Sequence, residues 1–356
     1  MMNKRLCEFY KDKKVFITGI TGFKGSWLAE TLLLFGADVS GIGLEPNTTP
    51  NIFSALSLKS RTNTKIGDVR DRSFVEKSIK DSEPDILFHL AAQPLVRDSY
   101  DLPHHTIETN IMGTTNVLES LRALNLIKNA VIITTDKVYK NKEWIWPYRE
   151  NDELGGYDPY SCSKACAELI TSAYRESFFQ HLGINVASAR AGNVIGGGDW
   201  SKDRLIPDII RATYDFKESV AIRNPSSIRP WQHVLDPIIG YLILGLNLES
   251  GDKYYQDSWN FAPNIKNCVN VLLIAEKAKM LIGSSFNMGD EKTTKHEAGT
   301  LKLDSTKARN QLGWSSIYNV DKALTLTFEW YKAYYDGKDM MMFTREQIEK
   351  HLEEIK

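Results

Sequence analysis

The sequence predicts an α/β protein, a Rossmann-type doubly wound parallel sheet followed by a smaller, mixed α/β portion. Short apolar segments alternate with amphipathic helical segments over residues 1–190, which is typical of parallel strands with helices on both faces. A glycine-rich turn follows the first apolar segment, and it opens a helix. After Arg190 the alternation stops, and the glycine-rich stretch GNVIGGGDWSK leads into short strands and long loops. We therefore expect a domain boundary near residue 190.

Each element rests on its own local pattern. Segments of four to eight apolar and β-branched residues bounded by Gly, Asp or Lys indicate buried strands, and longer segments with apolar residues every three or four positions indicate helices. The predicted strands are KKVFITG, ADVSGIGL, DILFHLAA, NAVIITTD and INVASAR. The predicted helices are KGSWLAETLLLFG, DRSFVEKSIKD, 104–125 and 159–181. At the end of the chain, Ile348, Leu352 and Ile355 have helical spacing and predict a packed amphipathic helix.

The composition excludes several classes of protein. The chain has 356 residues, 42% hydrophobic and 25% charged, which is ordinary for a globular protein with a large core. Its net charge of −1 gives no basic footprint for nucleic acid. The N-terminus has no apolar core of a signal peptide, and WLAETLLLF is too short to span a bilayer, so we expect a cytoplasmic protein without membrane contact. The four cysteines lack zinc spacing; Cys162 and Cys166 lie one helical turn apart, which packing explains, and no metal is predicted.

The turn after the first strand predicts a phosphate-binding loop. Gly19, Gly22 and Gly25 form GxxGxxG between a strand and a helix. Glycine permits a tight turn and a close approach of the backbone to a pyrophosphate, which the helix N-terminus stabilises. A tight strand–helix turn without a ligand is the alternative interpretation.

The end of the second strand predicts which dinucleotide is bound. An acidic residue there bonds the ribose 2′-hydroxyl, whereas an arginine accepts a 2′-phosphate. The segment GIGLEPNTTPNIF has Glu45 as its only acid, and no Lys or Arg occurs between Lys24 and Lys59. The missing cation favours NAD over NADP.

A second motif predicts the chemistry. Tyr160 and Lys164 form YxxxK, and positions i and i+4 of a helix share a face. A free tyrosine is a poor base at neutral pH, so a nearby ammonium and the cationic nicotinamide are expected to lower the tyrosine pKa. Thr135 lies 25 residues earlier, at the end of the strand NAVIITTD. With GxxGxxG, these residues resemble the extended short-chain dehydrogenases/reductases.

That resemblance implies roles for particular residues. Thr135, Tyr160 and Lys164 are the expected catalytic trio: Tyr160 takes the proton of a substrate hydroxyl while hydride leaves for NAD, and Lys164 also holds the nicotinamide ribose. The resemblance implies that residues 1–190 form the NAD-binding domain and that the chain returns to this domain over residues 233–262. The implied cofactor contacts are Gly19, Thr21, Gly22, Phe23, Lys24, Gly25, Asp68, Val69, Leu90, Ala91, Ala92, Gln93, Asn110, Tyr160 and Lys164.

The residues after Thr135 resemble a narrower group, the nucleotide-sugar 4,6-dehydratases. Those enzymes carry Thr-Asp-Glu here: the acid protonates the departing 6-hydroxyl, and the glutamate removes the C5 proton after C4 has been oxidised. This chain has Asp136 and then Lys137. The segment TTDKVYKNKEWIWPYRENDELGGYDPYSCSK resembles the branch that acts on CDP-glucose, which implies conversion of CDP-D-glucose to CDP-4-dehydro-6-deoxy-D-glucose and water, for deoxysugars of lipopolysaccharide and O-antigen.

Lys137 allows three interpretations. As a neutral amine it removes the C5 proton; as an ammonium it stabilises the developing enolate; or it is an ordinary surface lysine in an ion pair. An ordinary lysine is protonated at neutral pH, so the first role needs a closed cleft and neighbouring positive charge. Asp136, if ionised, opposes that loss of the proton.

The second half is expected to bind the nucleotide sugar through 191–232 and 263–356. A guanidinium suits phosphate oxygens, and Arg229 in IRNPSSIRPWQHVLDP matches the family's diphosphate-binding arginine. The resemblance adds substrate contacts at Asn193, Arg204, Leu205 and His296, with Glu297 beside the last.

Three alternative functions and the oligomeric state remain open. The alternatives are a 4,6-dehydratase acting on GDP-mannose or dTDP-glucose, a nucleotide-sugar 4-epimerase, and a non-catalytic NAD-sensing scaffold. The family's habit implies a homodimer or homotetramer through a four-helix bundle of 104–125 and 159–181. Apolar residues for that face are Ile111, Val117, Ala167, Ile170 and Ala173, which could equally face the subunit's own sheet.

Overall fold

The computed structural model describes residues 2–289 and 299–355. The strands are β1 Lys14–Thr18, β2 Asp38–Gly43, β3 Asn63–Ile66, β4 Ile86–His89, β5 Asn129–Ile133, β6 Asn185–Ala191, β7 Val194–Ile195, β8 Ser219–Ile222, β9 Ile228–Pro230, β10 Gln232–His233, β11 Ser258–Phe261, β12 Cys268–Asn270 and β13 Ser285–Met288. The helices are α1 Met2–Tyr10, α2 Phe23–Leu34, α3 Ile52–Ala55, α4 Arg72–Ser82, α5 Val96–Asp101, α6 Pro103–Ile107, α7 Gly113–Leu124, α8 Pro159–Tyr174, α9 Gln180–Leu182, α10 Leu205–Ile210, α11 Leu235–Leu248, α12 Val271–Ile282, α13 Val320–Tyr335 and α14 Met340–Glu354.

Seven strands form the central sheet, in the order β11-β6-β5-β4-β1-β2-β3. All of its pairings are parallel, with Val15 opposite Val39 on one side and Ile86 on the other. The chain runs outward from β1 in one direction through β2 and β3, then in the other through β4, β5 and β6. The strand order therefore reverses between β1 and β4, where open α/β sheets bind their ligands at the carboxyl ends of the strands. The predicted doubly wound fold is confirmed.

Apolar residues cover both faces of the sheet. On one face, α1, α2, α11, α13 and α14 contribute to a core that contains Trp27, Leu242 and Trp330. On the other face, α4, α7 and α8 pack around Val75, Val117 and Leu121. Burial on both faces explains why the strands have continuous apolar sequences.

The two long helices differ from the prediction in their detail. Residues 104–125 form α6, a π-helical turn over Glu108–Met112 and α7, and residues 159–181 form α8, a π-helical turn over Arg175–Phe179 and α9. Of the residues expected on an outward dimer face, Val117 and Ala167 are wrong, because both are fully buried in the subunit's own core. Ile170 packs partly against the same core.

The C-terminal helix is confirmed. Ile348 and Leu352 are buried on α14, and Ile355 packs against the core. Arg345 of α14 pairs with Glu30 of α2 at 2.7 Å. Since β11 also lies in the central sheet beside β6, two segments beyond residue 232 contact the first half, and the domain boundaries given above stay a prediction.

The described ranges contain neither a membrane-spanning helix nor a cluster of metal-ligand side chains. None of the helices there combines the length and the apolar character needed to cross a membrane. Within 2–289 and 299–355, no group of three or more His, Cys, Asp or Glu side chains could hold a metal ion.

Candidate active site

The glycine loop leaves no room for side chains where a dinucleotide phosphate would lie. Gly19 has a φ of +75°, and a Cβ on it would come within 2.7 Å of the Ala91 nitrogen. A Cβ on Gly25 would come within 2.1 Å of the Gly19 oxygen. Gly22 caps α2 without a side-chain hydrogen bond. The first backbone N–H groups of this 12-residue helix therefore remain available to donate to a ligand. A bare backbone at the start of a helix fits a pyrophosphate.

The loop after β4 lies against the glycine loop. Leu90 and Ala91 donate their backbone amides to the carbonyl and the hydroxyl of Thr18, at 3.0 and 3.2 Å. The predicted contacts Leu90 and Ala91 are therefore brought to the glycine turn, and the predicted Ala92 and Gln93 follow them in the chain. Asn110 accepts from the Gln93 amide at 2.8 Å and donates to the Gln93 carbonyl and to Ser163. Both amide hydrogens of Asn110 are used by the protein, which makes it a support for this loop.

The remaining predicted cofactor residues fall into two groups. Phe23 and Lys24 line the cavity described below, whereas the Thr21 hydroxyl donates to the Leu44 carbonyl at 2.8 Å and so fastens the loop to the end of β2. Asp68 is paired with Arg70 at 2.7 Å, and Val69 is buried beside it. Glu45 lies two residues beyond β2 and is exposed. Their roles toward a cofactor stay predictions.

The end of β5 carries a buried carboxylate with one paired oxygen. Asp136 is fully buried, and its Oδ1 accepts from the Thr135 hydroxyl at 2.9 Å and from Lys137 Nζ at 3.1 Å. Its Oδ2 has no hydrogen-bond partner among the described residues. A Cβ on Gly192 would come within 3.3 Å of that oxygen, so a glycine leaves space there. Asp136 therefore has one oxygen available for a ligand or a proton.

Tyr160 and Lys164 lie behind this strand end on α8. The Lys164 ammonium donates to the Ile133 carbonyl at 3.0 Å. Burial lowers the pKa of Lys164 to about 8, against the carboxylate of Glu168, which raises it. Burial also raises the pKa of Tyr160 to about 12, although a hydrogen bond with Thr135 and the charge of Arg204 oppose the rise. In the protein by itself, the cost of burying the phenolate outweighs the nearby charges, so the lowering expected from an ammonium together with the nicotinamide stays a prediction.

Lys24 belongs to the same group of charges. Burial, together with Lys164 and Arg204, lowers the pKa of Lys24 to about 7. The half-buried Lys24 side chain therefore faces two other cations from opposite halves of the chain. This arrangement favours an anionic ligand between them.

A cavity of about 920 Å³ lies above these strand ends. Its walls include most of the predicted substrate and catalytic residues, namely Thr135, Lys137, Tyr160, Asn193, Arg204, Leu205 and Arg229. His296 and Glu297 lie outside the described residues. Thr135, Lys137 and Tyr160 line this cavity, and the buried Asp136 is hydrogen-bonded to the first two. Proton transfer at adjacent carbons of one ligand is therefore geometrically possible.

The cavity also contains charged residues that the sequence reading missed. Arg223 pairs with Asp203 at 2.8 Å, and Arg97 lies 3.5 Å from the same carboxylate. Arg204 pairs with Asp199 at 3.0 Å. A signal for Arg223 existed, because the arginine stands in the same segment, IRNPSSIRPWQHVLDP, from which Arg229 was predicted. Arg97 is joined to the cavity only by folding, so no local pattern could have identified it.

Comparison with known proteins agrees with this geometry. The sequence profile described as GDP-mannose 4,6 dehydratase matches residues 16–327. The chain is 46% identical over 352 residues to CDP-glucose 4,6-dehydratase of Salmonella typhimurium, covering 97% of this chain and 98% of that protein. Among solved structures, the dTDP-glucose 4,6-dehydratase DesIV of Streptomyces venezuelae, with NAD bound, has a TM-score of 0.79 at 20% identity over 92% of this chain and 99% of its own. UDP-glucose 4-epimerase of Thermotoga maritima, with UDP-glucose, has a TM-score of 0.77 at 21% identity, covering 90% and 99%.

Proposed function

The chain belongs to the GDP-mannose 4,6-dehydratase family, and from this premise we propose that it is an NAD-dependent lyase acting on CDP-glucose. The product is CDP-4-dehydro-6-deoxy-D-glucose, with water released, as a step towards deoxysugars of surface polysaccharides. The observation that carries this proposal is the pair of a buried Asp136 and a partly exposed Lys137 beside Thr135 and Tyr160. An epimerase needs only the oxidoreductase trio, whereas loss of water needs an acid and a base in addition. The Salmonella relative supports CDP as the nucleotide.

NAD, held by the glycine loop and Lys164, would supply the hydride acceptor for the sugar C4 and the hydride returned at C6. The protein's own contribution to this step is the proton of the 4-hydroxyl, which passes to the Tyr160 oxygen. Thr135 lowers the pKa of Tyr160, and we expect its hydroxyl to orient the phenol. Lys164, fixed to the Ile133 carbonyl, supplies a positive charge that favours the phenolate.

Elimination requires Asp136 as an acid and Lys137 as a base, and one proton transfer prepares both. The Lys137 ammonium donates to Asp136 Oδ1 over 3.1 Å. If that proton moves to the carboxylate, the pair becomes a neutral amine and a carboxylic acid without any change in net charge. The amine then removes the C5 proton, which the C4 ketone has made acidic, and the acid protonates the departing 6-hydroxyl. This route opposes the surface-lysine interpretation, because Lys137 lines the cavity and its partner is fully buried.

The test is a substrate panel with purified protein and NAD. CDP-glucose is expected to give the alkali-induced absorbance of a 4-keto sugar, and mass spectrometry is expected to show the loss of one water. A signal with dTDP-glucose or GDP-mannose alone would overturn the choice of nucleotide. Turnover to a C4 epimer without water loss would overturn the reaction, and no turnover with any nucleotide sugar would support a binding protein.

The role of Lys137 has its own test. Substrate deuterated at C5 is incubated with Lys137→Met, and both label loss and water loss are followed. If Lys137 is the base, both stop, whereas the oxidation at C4 continues. If the label still exchanges with solvent while water loss fails, the enolate-stabilising interpretation replaces ours. Lys140→Met, at the same cavity and paired with the exposed Glu153, is the matched control.

The working form that we propose is a cytoplasmic homodimer or homotetramer. Support comes from apolar side chains that the two predicted bundle segments, 104–125 and 159–181, leave exposed on the subunit: Ile107, Met112, Leu169 and Phe178 are each 41–57% exposed. Ile107 lies on α6 and Leu169 on α8, so a second copy that covered them would bury apolar surface on both segments. Light scattering of Leu169→Glu is expected to show monomer, and a monomeric parent protein would contradict the proposal.

A further inference from the structure

A buried ion pair lies directly behind the catalytic strand end, and none of the steps above uses it. Glu168 and Arg190 are 4% and 3% exposed, and Arg190 Nη2 donates to Glu168 Oε2 at 2.9 Å. An ion pair withdrawn from water gives little net stability, because desolvation offsets most of the attraction. Its place beside the active site therefore calls for a role other than stability.

Glu168 is joined to the residue that precedes the catalytic threonine. Its Oε1 accepts a hydrogen bond from the Thr134 hydroxyl, and its Oε2 accepts from the Ser188 hydroxyl at 2.6 Å. Thr135 is extended, with φ −148° and ψ 162°. In extended backbone, adjacent side chains point to opposite sides, so fixing the side chain of Thr134 fixes the direction of Thr135.

The same carboxylate also acts on the catalytic lysine. Tyr160, Lys164 and Glu168 are spaced by four residues and share one face of α8. Glu168 raises the pKa of Lys164 against the effect of burial. Burial would raise the pKa of Glu168, but Arg190 and the hydrogen bonds from Ser188 and Thr134 hold it below its ordinary value. Glu168 is therefore ionised where it faces Lys164.

We propose that Glu168 and Thr134 are positioning residues for the dehydratase reaction. The Glu168 carboxylate holds the Thr134 hydroxyl, which sets the direction of Thr135 and Asp136, and it keeps Lys164 charged. Arg190 keeps the carboxylate in place and extends the network, because its Nη1 donates to the Tyr139 hydroxyl at 2.8 Å. Tyr139 lines the substrate cavity, so the network joins the strand end to the cavity wall. This inference rests on the proposed function.

The first test compares Thr134→Val with Thr134→Ser. The valine variant replaces the buried hydroxyl with a methyl group, whereas the serine variant removes the methyl group. Only serine keeps the hydroxyl that donates a hydrogen bond to Glu168. Loss of a hydrogen bond to a charged group is expected to lower kcat about 10- to 100-fold in the valine variant, with KM changed less than about twofold. The serine variant is expected to stay within about threefold of the parent kcat. Equal kcat in the parent and the valine variant overturns the inference, as does an equal loss in both variants.

The second test is the pH dependence of Glu168→Gln. Without the carboxylate, the alkaline limit of activity, where Lys164 loses its charge, is expected to move to lower pH than in the parent protein. Glu168→Gln leaves Arg190 without its charged partner, so Glu168→Gln/Arg190→Gln is measured beside it. This double variant removes both charges and leaves two amide side chains that can hydrogen-bond to each other. A fall in rate without any shift of the alkaline limit in either variant would reduce Glu168 to a purely structural residue.

The two proposals fail in different ways. The variants are assayed with whichever nucleotide sugar the parent protein dehydrates, so the wrong nucleotide does not affect the comparison. If the parent dehydrates none, the proposed function fails. The positioning role is then rejected as well if Thr134→Val and Thr134→Ser bind and reduce NAD identically in the presence of nucleotide sugar.

Discussion

Two parts of the candidate site hold their charged groups in different ways: the floor, formed by the end of β5 and by α8, and the wall, formed by the arginines of the second half of the chain. On the floor, Asp136 and Lys164 are buried at or behind strand ends, and Lys164 is bonded to a strand's own carbonyl. On the wall, Arg204 and Arg223 lie on or beside loops, are 34% and 24% exposed, and pair with neighbouring aspartates. A sheet fixes side chains to within a fraction of an ångström, whereas loops tolerate change. From this difference we expect the floor to set the reaction and the wall to bind the nucleotide.

The comparison is tested most severely by Asp136→Asn. Asparagine keeps the size of the side chain but cannot deliver a proton to the departing hydroxyl. We expect kcat for water loss to fall about 100- to 10,000-fold, with little change in substrate affinity. Steady-state kinetics and calorimetric titration with CDP-glucose measure the two effects. A large loss of affinity with normal kcat would place Asp136 among the recognition groups.

The next largest effect is expected for Gly25→Ala in the phosphate loop. Its Cβ would lie 2.1 Å from the Gly19 oxygen, so the backbone must shift. We expect a loss of about 1–3 kcal/mol in the free energy of unfolding, and NAD binding weakened about 10- to 100-fold. Gly22→Ala is the graded control, because its Cβ would meet the same oxygen at 3.3 Å. Equal effects at the two positions would show that the loop rearranges freely.

On the wall, Arg229→Met is expected to act on affinity. Arg229 lines the cavity and is the predicted partner of the diphosphate. Loss of a charge-assisted hydrogen bond of about 1.5–3 kcal/mol predicts a KM raised about 10- to 100-fold, with kcat changed far less. Arg309→Met, an exposed arginine whose Nη1 is bonded to Ser305, is the matched control. A fall in kcat at constant KM would contradict the division between floor and wall.

The smallest effect concerns pH. Lys164, with a pKa of about 8, is charged below that pH and loses its charge as the pH rises. We therefore expect kcat to be halved near pH 8 and to fall further above it, measured at saturating substrate and NAD. If the ionisation of Tyr160, whose pKa is raised to about 12, limits the rate, kcat is expected to rise with pH instead. A rate that rises steadily above pH 8 would assign control to the tyrosine.

Local patterns identified the residues of the floor because their spacing reports a repeat of the backbone. Tyr160 and Lys164 are one helical turn apart, and the glycines occupy a single strand–helix turn. Glu168 follows the same spacing and was visible as YxxxKxxxE, but its purpose was not, because Thr134 and Arg190 lie on two other elements. The placement of Val117 on an outward dimer face was wrong for a related reason: an apolar residue has the same sequence signature whether it meets its own core or a second subunit.

By itself, the sequence determined the parallel sheet, the glycine turn and the candidates for the catalytic groups. These depend on periodicity, glycine and short-range spacing, which are properties of neighbouring residues. Only the tertiary structure decided how those groups are tuned. It buried Tyr160 deeply enough to raise its pKa, left one oxygen of Asp136 without a partner, and placed Arg97 and Arg223 around Asp203. Burial and pairing between distant segments arise only when the whole chain has folded, because desolvation and Coulomb energy depend on distance in space.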